Sequence, residues 1–313
     1  MGPADPVVRF EQVTKRFGTF TAVDGISFEV PRGCTFGILG SNGAGKTTSI
    51  RMLMNIYRPD AGVVEVLGSR VDEATKPRVG YLPEERGLYR KMRVEETLRF
   101  FGRIKGRDDA FLAPRITQWL EAMGLSAWRH RRVEELSKGM AQKLQFIVTV
   151  AHEPELLVLD EPFSGLDPVN RDALRDAVLG LKRGGTTIVF CTHVMEQAEQ
   201  LCDRLVMVHR GQVRLRGTVA EVRASQGRDA VRLEHRLKPG ARLEGLPGVE
   251  AVHDRGHEAE LTLAPGADAA VLLRALLERT HVSRYELYHP SLHEIFKRVV
   301  AADAGDEGEA PAA

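Results

Sequence analysis

The stretch Gly40-Ser41-Asn42-Gly43-Ala44-Gly45-Lys46-Thr47 constrains this chain more than any other. It has the spacing G-x-x-x-x-G-K-[ST] and follows a short apolar run, Cys34 to Leu39, that reads as a buried strand. After it, Thr47 to Tyr57 sets Ile50, Leu53, Met54 and Tyr57 on one helical face, and Pro59 is expected to end that helix. A strand, a glycine-rich turn and a helix N-terminus make a phosphate cradle, because several backbone N–H groups converge where the helix dipole is positive. Lys46 is placed to reach the β- and γ-phosphates of a nucleotide. The Thr47 hydroxyl is placed on a Mg²⁺ ion. The competing reading, a flexible turn with a chance lysine, does not account for the strand before it and the helix after it.

A second apolar run, Leu156 to Leu159, ends in Asp160-Glu161. Carboxylates at the C-terminal end of a buried strand stand at the edge where ligands gather in open α/β sheets. Asp160 can hold Mg²⁺ through water and Glu161 can orient or activate the attacking water. A third run, Thr187 to Cys191, delivers Thr192-His193 to the same kind of edge, where His193 can meet a γ-phosphate. Leu136-Ser137-Lys138-Gly139-Met140 precedes a helix with Leu144, Ile147, Val148 and Ala151 on its inner face. Ser164-Gly165-Leu166-Asp167-Pro168 is a turn into another helix.

The remaining segments frame these motifs. Val7 to Val13 and Ile26 to Val30 alternate apolar and polar residues, as an antiparallel pair with one wet face would. Phe17, in the loop expected between them, can stack on an adenine or be an ordinary loop aromatic, and the local sequence does not choose. Strands are expected at Val63 to Leu67, Val79 to Leu82, Leu205 to Val208 and Val213 to Leu215. Helices at Arg93 to Lys105 and Ile116 to Met123 suggest an inserted helical lobe over about 88–150. From about Ala220 the pattern changes to short amphipathic strands (Val231 to Glu234, Val249 to Val252, Glu260 to Leu263) and two helices (Ala269 to Leu277, Leu292 to Val300). This predicts a small α+β domain over 220–300. The tail from Ala301, AADAGDEGEAPAA, is expected to be disordered.

Composition narrows the function classes. A formal net charge of +1 over 313 residues argues against a broad nucleic-acid-binding face. Cys34, Cys191 and Cys202 lack the spacing of a zinc site or a disulfide frame. No apolar run approaches the roughly 20 residues a transmembrane helix needs, so a membrane role calls for a partner.

Taken together, the phosphate loop, LSKGM, the strand ending in DEP, SGLD and the TH pair resemble the ATP-binding subunit of ABC transporters over residues 7–217. The C-terminal piece, with YELYHPSLHEIFKRVV, resembles the extra domain of the branch that includes sodium-extruding and drug-exporting ATPases. The resemblance implies an α/β P-loop NTPase core, its sheet mostly parallel with an N-terminal antiparallel part. It implies ATP and Mg²⁺ bound by Gly40, Ser41, Asn42, Gly43, Ala44, Gly45, Lys46, Thr47 and Thr48. Phe17 falls where the family stacks adenine, and Glu161, His193 and Lys46 fall at the catalytic positions. The resemblance also implies head-to-tail pairing, as a homodimer or with a related subunit, so that Ser137 and Gly139 meet the γ-phosphate of the opposite subunit and Asp167 links the two sites. The partner implied is an integral-membrane permease, with the subunit peripheral at the cytoplasmic face of the membrane.

Two departures stand out. Lys138 and Met140 replace a glycine and a glutamine of the usual LSGGQ, and Glu84 stands where the family has the glutamine that joins Mg²⁺ and water to the permease. With Thr47 and Asp160, Glu84 completes the expected metal set. The function implied is ATP hydrolysis that drives export of an ion or small molecule. The alternative is a non-transport ATPase of the same superfamily acting on nucleic acid or ribosomes, for which paired nucleotide domains or a long coiled coil are expected. A regulatory ATP-binding module without turnover is disfavoured by intact Lys46, Asp160, Glu161 and His193.

Overall fold

A computed structural model of the chain describes residues 5–305, apart from 73, 86, 227–229, 265 and 289. It divides into two compact units, one ending at Thr218 and the other beginning at Val219.

The first unit opens with two long strands, β1 (Val8–Phe17) and β2 (Phe20–Val30), paired antiparallel. Lys15 to Phe17, expected in a loop, belong to β1, and the chain reverses at Gly18, whose φ of 59° suits glycine. Next come β3 (Thr35–Leu39), α1 (Lys46–Leu53), β4 (Ala61–Val66) and β5 (Val79–Leu82). β4 adds to β1, giving a three-stranded antiparallel sheet in the order β2-β1-β4. Its inner face stacks Phe10 on Phe28 at 4.5 Å and Phe28 on Phe36 of β3 at 5.4 Å, so this sheet shares a core with the next.

Three helices follow, α2 (Val94–Ile104), α3 (Asp109–Ala122) and α4 (Lys138–Val150). Glu95 of α2 accepts from Arg129 and Arg99, and first Arg129, then Arg99, hold its carboxyl down at about 2. Arg129 thereby ties the connection after α3 back to α2, while Arg99 pairs with Glu95 within the helix.

Then alternate β6 (Leu156–Asp160), α5 (Pro168–Arg183), β7 (Thr187–Thr192), α6 (Met195–Leu201), β8 (Arg204–His209) and β9 (Gln212–Thr218). The main sheet has the order β5-β6-β7-β3-β8-β9; all its pairs are parallel except β8 with β9. Every residue of β3, β6 and β7 is buried. That is why these strands read as unbroken apolar runs and not as alternating ones.

Helix α1 is shorter than its periodicity suggests. It stops at Leu53, and Asn55 takes a φ of 55° while its side-chain amide donates to the Val71 carbonyl at 2.8 Å. Asparagine tolerates this left-handed geometry, so the helix ends before Pro59 can end it.

The second unit comprises α7 (Val219–Gln226), β10 (Ala230–Leu237), β11 (Val249–Asp254), β12 (Glu258–Leu263), α8 (Ala269–Arg279), β13 (Thr280–Tyr288) and α9 (Leu292–Gly305). Its sheet, β11-β12-β10-β13, is antiparallel and packs Val231, Leu233 and Leu261 against Leu272 and Leu276 of α8. Strand β13 is not among the expected elements, because it follows α8 with no glycine or proline between them. The tail expected to be disordered from Ala301 instead continues α9 through Gly305; the rest of it lies outside the described residues.

Candidate functional site

The parallel strands β3, β6 and β7 end side by side, which sets Gly40, Glu161 and His193 at one edge of the sheet. Two glycines make the loop after β3 possible. A Cβ on Gly40 would stand 2.2 Å from the Val208 carbonyl oxygen, and one on Gly45 would stand 2.4 Å from that of Ala22. Gly45, at a φ of 102°, caps α1 without a side chain, so the first N–H groups of the helix face the loop. Lys46 is only 6% exposed and its ammonium donates to the loop carbonyls of Gly40, at 2.8 Å, and Ser41, at 2.9 Å. The cation is therefore stored in the loop by neutral acceptors, with no carboxylate of the described residues paired to it.

A cleft of about 410 Å³ lies over this loop, lined by Phe20, Ala22, Asn42, Gly43, Gly45, Lys46, Thr47, Thr48, Glu84, Asp160, Glu161 and His193. Asp160 is 1% exposed, and neither of its carboxylate oxygens accepts a hydrogen bond from the described residues. Burial pushes its carboxyl above the usual carboxylate range, as do the charges of Glu161 and Glu84, while the Cys191 thiol beside it and Lys46 pull the other way. A buried acid left without donors next to two further carboxylates fits a hard cation. Among the described residues no three His, Cys, Asp or Glu side chains form a ready cage. A sparse oxygen set of Asp160, Glu84 and the Thr47 hydroxyl suits Mg²⁺, which keeps water and takes its other ligands from phosphates.

Glu161 is 8% exposed and has a φ of 48°, a conformation that strains a non-glycine residue. The strained turn aims the side chain at the end of β7. There its carboxylate accepts from the Thr192 hydroxyl at 3.1 Å, from the His193 backbone N–H at 2.9 Å and from His193 Nδ1 at 2.6 Å. The acceptor at Nδ1 fixes the proton on that nitrogen and leaves Nε2 for a further partner.

The remaining sequence-predicted residues are placed elsewhere. Ser41 and Ala44 shape the loop, the Ala44 N–H donating to the Ser41 carbonyl at 3.2 Å. Phe17 pairs across the β1–β2 hairpin with Phe20 and packs edge-on to Tyr57 with centroids 5.4 Å apart; Phe20 lines the cleft and Phe17 does not. Ser137 caps α4, its hydroxyl accepting from the Met140 N–H at 3.3 Å. Asp167 caps α5 and accepts from the Asn170 N–H and side-chain amide, which hold its carboxyl below the usual range. That same amide nitrogen stands 3.0 Å from where a Cβ on Gly139 would lie, so Asp167 and Gly139 meet through Asn170. Ser137, Gly139 and Asp167 are thus neighbours at helix starts, but none of them lines the cleft. Phe20, Ala22 and the buried amides Gln142 and Gln145 are members of the site's surroundings that motif reading does not find; only their position in the fold reveals them.

Comparison with known proteins agrees with this geometry. Residues 23–164 match the family described as ABC transporter, and residues 217–300 match the family ATP-binding protein DrrA1-3-like, C-terminal domain. The chain is 38% identical to the uncharacterized ABC transporter ATP-binding protein YhaQ of Bacillus subtilis, over 95% of this chain and 99% of that one. It is 34% identical to the Nod factor export ATP-binding protein I of Ralstonia nicotianae, over 96% of each. A solved structure of an ATP binding subunit of an ABC transporter superposes with a TM-score of 0.66 at 30% identity, covering 70% of this chain and 92% of that one. The chain therefore belongs to the ABC transporter family, as an ATP-binding ATPase subunit with a DrrA-like C-terminal domain.

Proposed function

We propose that this subunit hydrolyses ATP in a composite site shared between two copies, or with a related subunit, and drives export of an ion or small molecule through its permease. The observation that carries this reading is the division of the motifs. One cleft holds the phosphate loop, Asp160, Glu161 and His193, while Ser137, Gly139 and Asp167 stand outside it at exposed helix starts, where the first turn of α4 can offer backbone N–H groups to a phosphate. Lys46 and the loop N–H groups would bind the phosphates, and Phe17 with Phe20 would flank the base. Thr47, Asp160 and Glu84 would hold Mg²⁺, which would supply positive charge to offset that of the phosphates. Glu161 would orient and activate the attacking water, with His193 steadying both the carboxylate and the γ-phosphate. The export direction follows from the exporter named above and from the DrrA-like domain.

The division of motifs is tested by mixing. Lys46→Ala and Ser137→Arg should each be inactive alone, while an equal mixture should regain hydrolysis, because half of its mixed pairs' sites are intact. No recovery, with pairing verified by sizing, would refute the composite site.

No described helix is long and apolar enough to cross a membrane, so the subunit would act at the cytoplasmic face through its permease. The surface we assign to that contact is the apolar pocket lined by Tyr89, Arg90, Lys91, Met92 and Phe100. Exposed Tyr89 and Phe100 meet there edge to face, with centroids 5.6 Å apart, close after Glu84 in sequence, as a seat for an apolar permease segment would. Phe100→Glu should leave basal hydrolysis near wild type and abolish its stimulation by permease-containing membranes. Full stimulation in that variant would remove the pocket from the contact.

A further inference from the structure

Helix α4 buries an apolar set, Leu144, Phe146, Ile147 and Val150, yet three polar side chains lie among them: Gln142 at 3%, Gln145 at 4% and Thr149 at 5% exposed. A buried amide must find partners or destabilise the fold. Gln142 donates from Nε2 to the Pro162 carbonyl at 3.1 Å, one residue past Glu161. Gln145 donates from Nε2 to the Glu85 carbonyl at 3.1 Å and approaches that of Pro83 at 3.5 Å. Those two carbonyls flank Glu84. The Oε1 of Gln145, by contrast, is buried and accepts nothing from the described residues.

The unpaired Oε1 is a cost that an apolar side chain of the same size would avoid, at the expense of freeing the Glu85 carbonyl, so the amide gains the fold little. A residue that stability alone does not favour here, and that holds the backbone on both sides of one carboxylate, points to a task in the site. We propose that Gln145 is a positioning residue that sets where Glu84 stands relative to Asp160 and Glu161. Gln142 ties the same helix to the Glu161 turn, so the frame in which Glu84 is held is the frame of the other two acids. The start of α4 carries Ser137 and Gly139, so one helix joins those residues to the Glu84 segment. The inference rests on the reading of Glu84 as part of the Mg²⁺ shell.

Gln145→Leu keeps the volume and deletes both donors, and it is read on the full chain in three ways. The thermal midpoint should change little, because removal of the unpaired Oε1 offsets loss of the bond to the Glu85 carbonyl. Hydrogen exchange over residues 82–90 should be faster. The Mg²⁺ concentration for half-maximal hydrolysis should rise about three- to tenfold, the scale of one or two net hydrogen bonds, with affinity for a fluorescent ATP analogue unchanged in the absence of Mg²⁺. Glu84→Ala should raise the Mg²⁺ requirement by itself, and adding Gln145→Leu to it should raise it no further. A lower thermal midpoint with unchanged Mg²⁺ dependence would reduce Gln145 to a structural support and overturn the inference. A Mg²⁺ shift in Glu84→Ala but none in Gln145→Leu would overturn it while sparing the reading of Glu84. No shift in Glu84→Ala would overturn that reading, and the inference with it.

Discussion

Replacing Glu161 with glutamine is expected to leave ATP binding intact and to slow hydrolysis by ~10²–10⁴-fold, the usual worth of a positioned general base. The glutamine is as large as the glutamate and keeps an acceptor for the His193 N–H, which now lies 2.9 Å from Oε1. The other position changes sign without breaking. Thr192 Oγ1 lies 3.1 Å from Glu161 Oε2 and 3.2 Å from Gln197 Oε1, so its one proton can turn to Gln197 while its lone pair accepts from the new amide. The strained backbone at residue 161 costs the two side chains about the same. What disappears is the negative charge that takes a proton from water, and with it the anion that fixes the proton on His193 Nδ1. ATP should therefore trap a pair of subunits that sizing chromatography resolves. Turnover near wild type would place the base elsewhere, and lost binding would show that the turn, not the charge, is what Glu161 provides.

Much of this site is legible in the sequence because it sits where fully buried strands end. Cys34 to Leu39, Leu156 to Leu159 and Thr187 to Cys191 each read as strands from their apolar runs, and each hands a motif to the same edge. What periodicity misses depends on contacts made across the fold. Asn55 ends α1 through a bond to Val71, sixteen residues away. Phe20 enters the cleft because it opposes Phe17 across a hairpin whose first strand extends further than its alternation shows. β13 begins at Thr280 directly after α8 ends at Arg279, and its pairing with β10 supplies the signal that no turn residue gives. Gln142 and Gln145 read as the polar remainder of an amphipathic helix, since nothing local shows that the face they occupy is covered by the loops that carry the acids.

Lys46→Ala should lower ATP affinity and turnover together, by about 10- to 150-fold in affinity, if one charged hydrogen-bonding interaction is worth about 1.5–3 kcal/mol. The side chain is almost wholly buried and spends its donors on the Gly40 and Ser41 carbonyls, so two losses have to be separated. One is the brace that holds the loop in its path. The other is the positive charge, which also draws the Asp160 carboxyl toward its ionised form. Lys46→Met retains the long stem and its packing but neither donors nor charge, whereas Lys46→Arg retains charge and donors in a planar head that does not match two carbonyls of one tight loop. If the charge at the phosphates is what matters, the alanine and methionine variants should bind ATP equally poorly while their thermal midpoints differ, and affinity measured with a fluorescent ATP analogue should follow charge and not stability. Wild-type affinity in the alanine variant would refute the role given to Lys46. Affinity that instead tracks the thermal midpoint across the three variants would assign the lysine to bracing the loop alone.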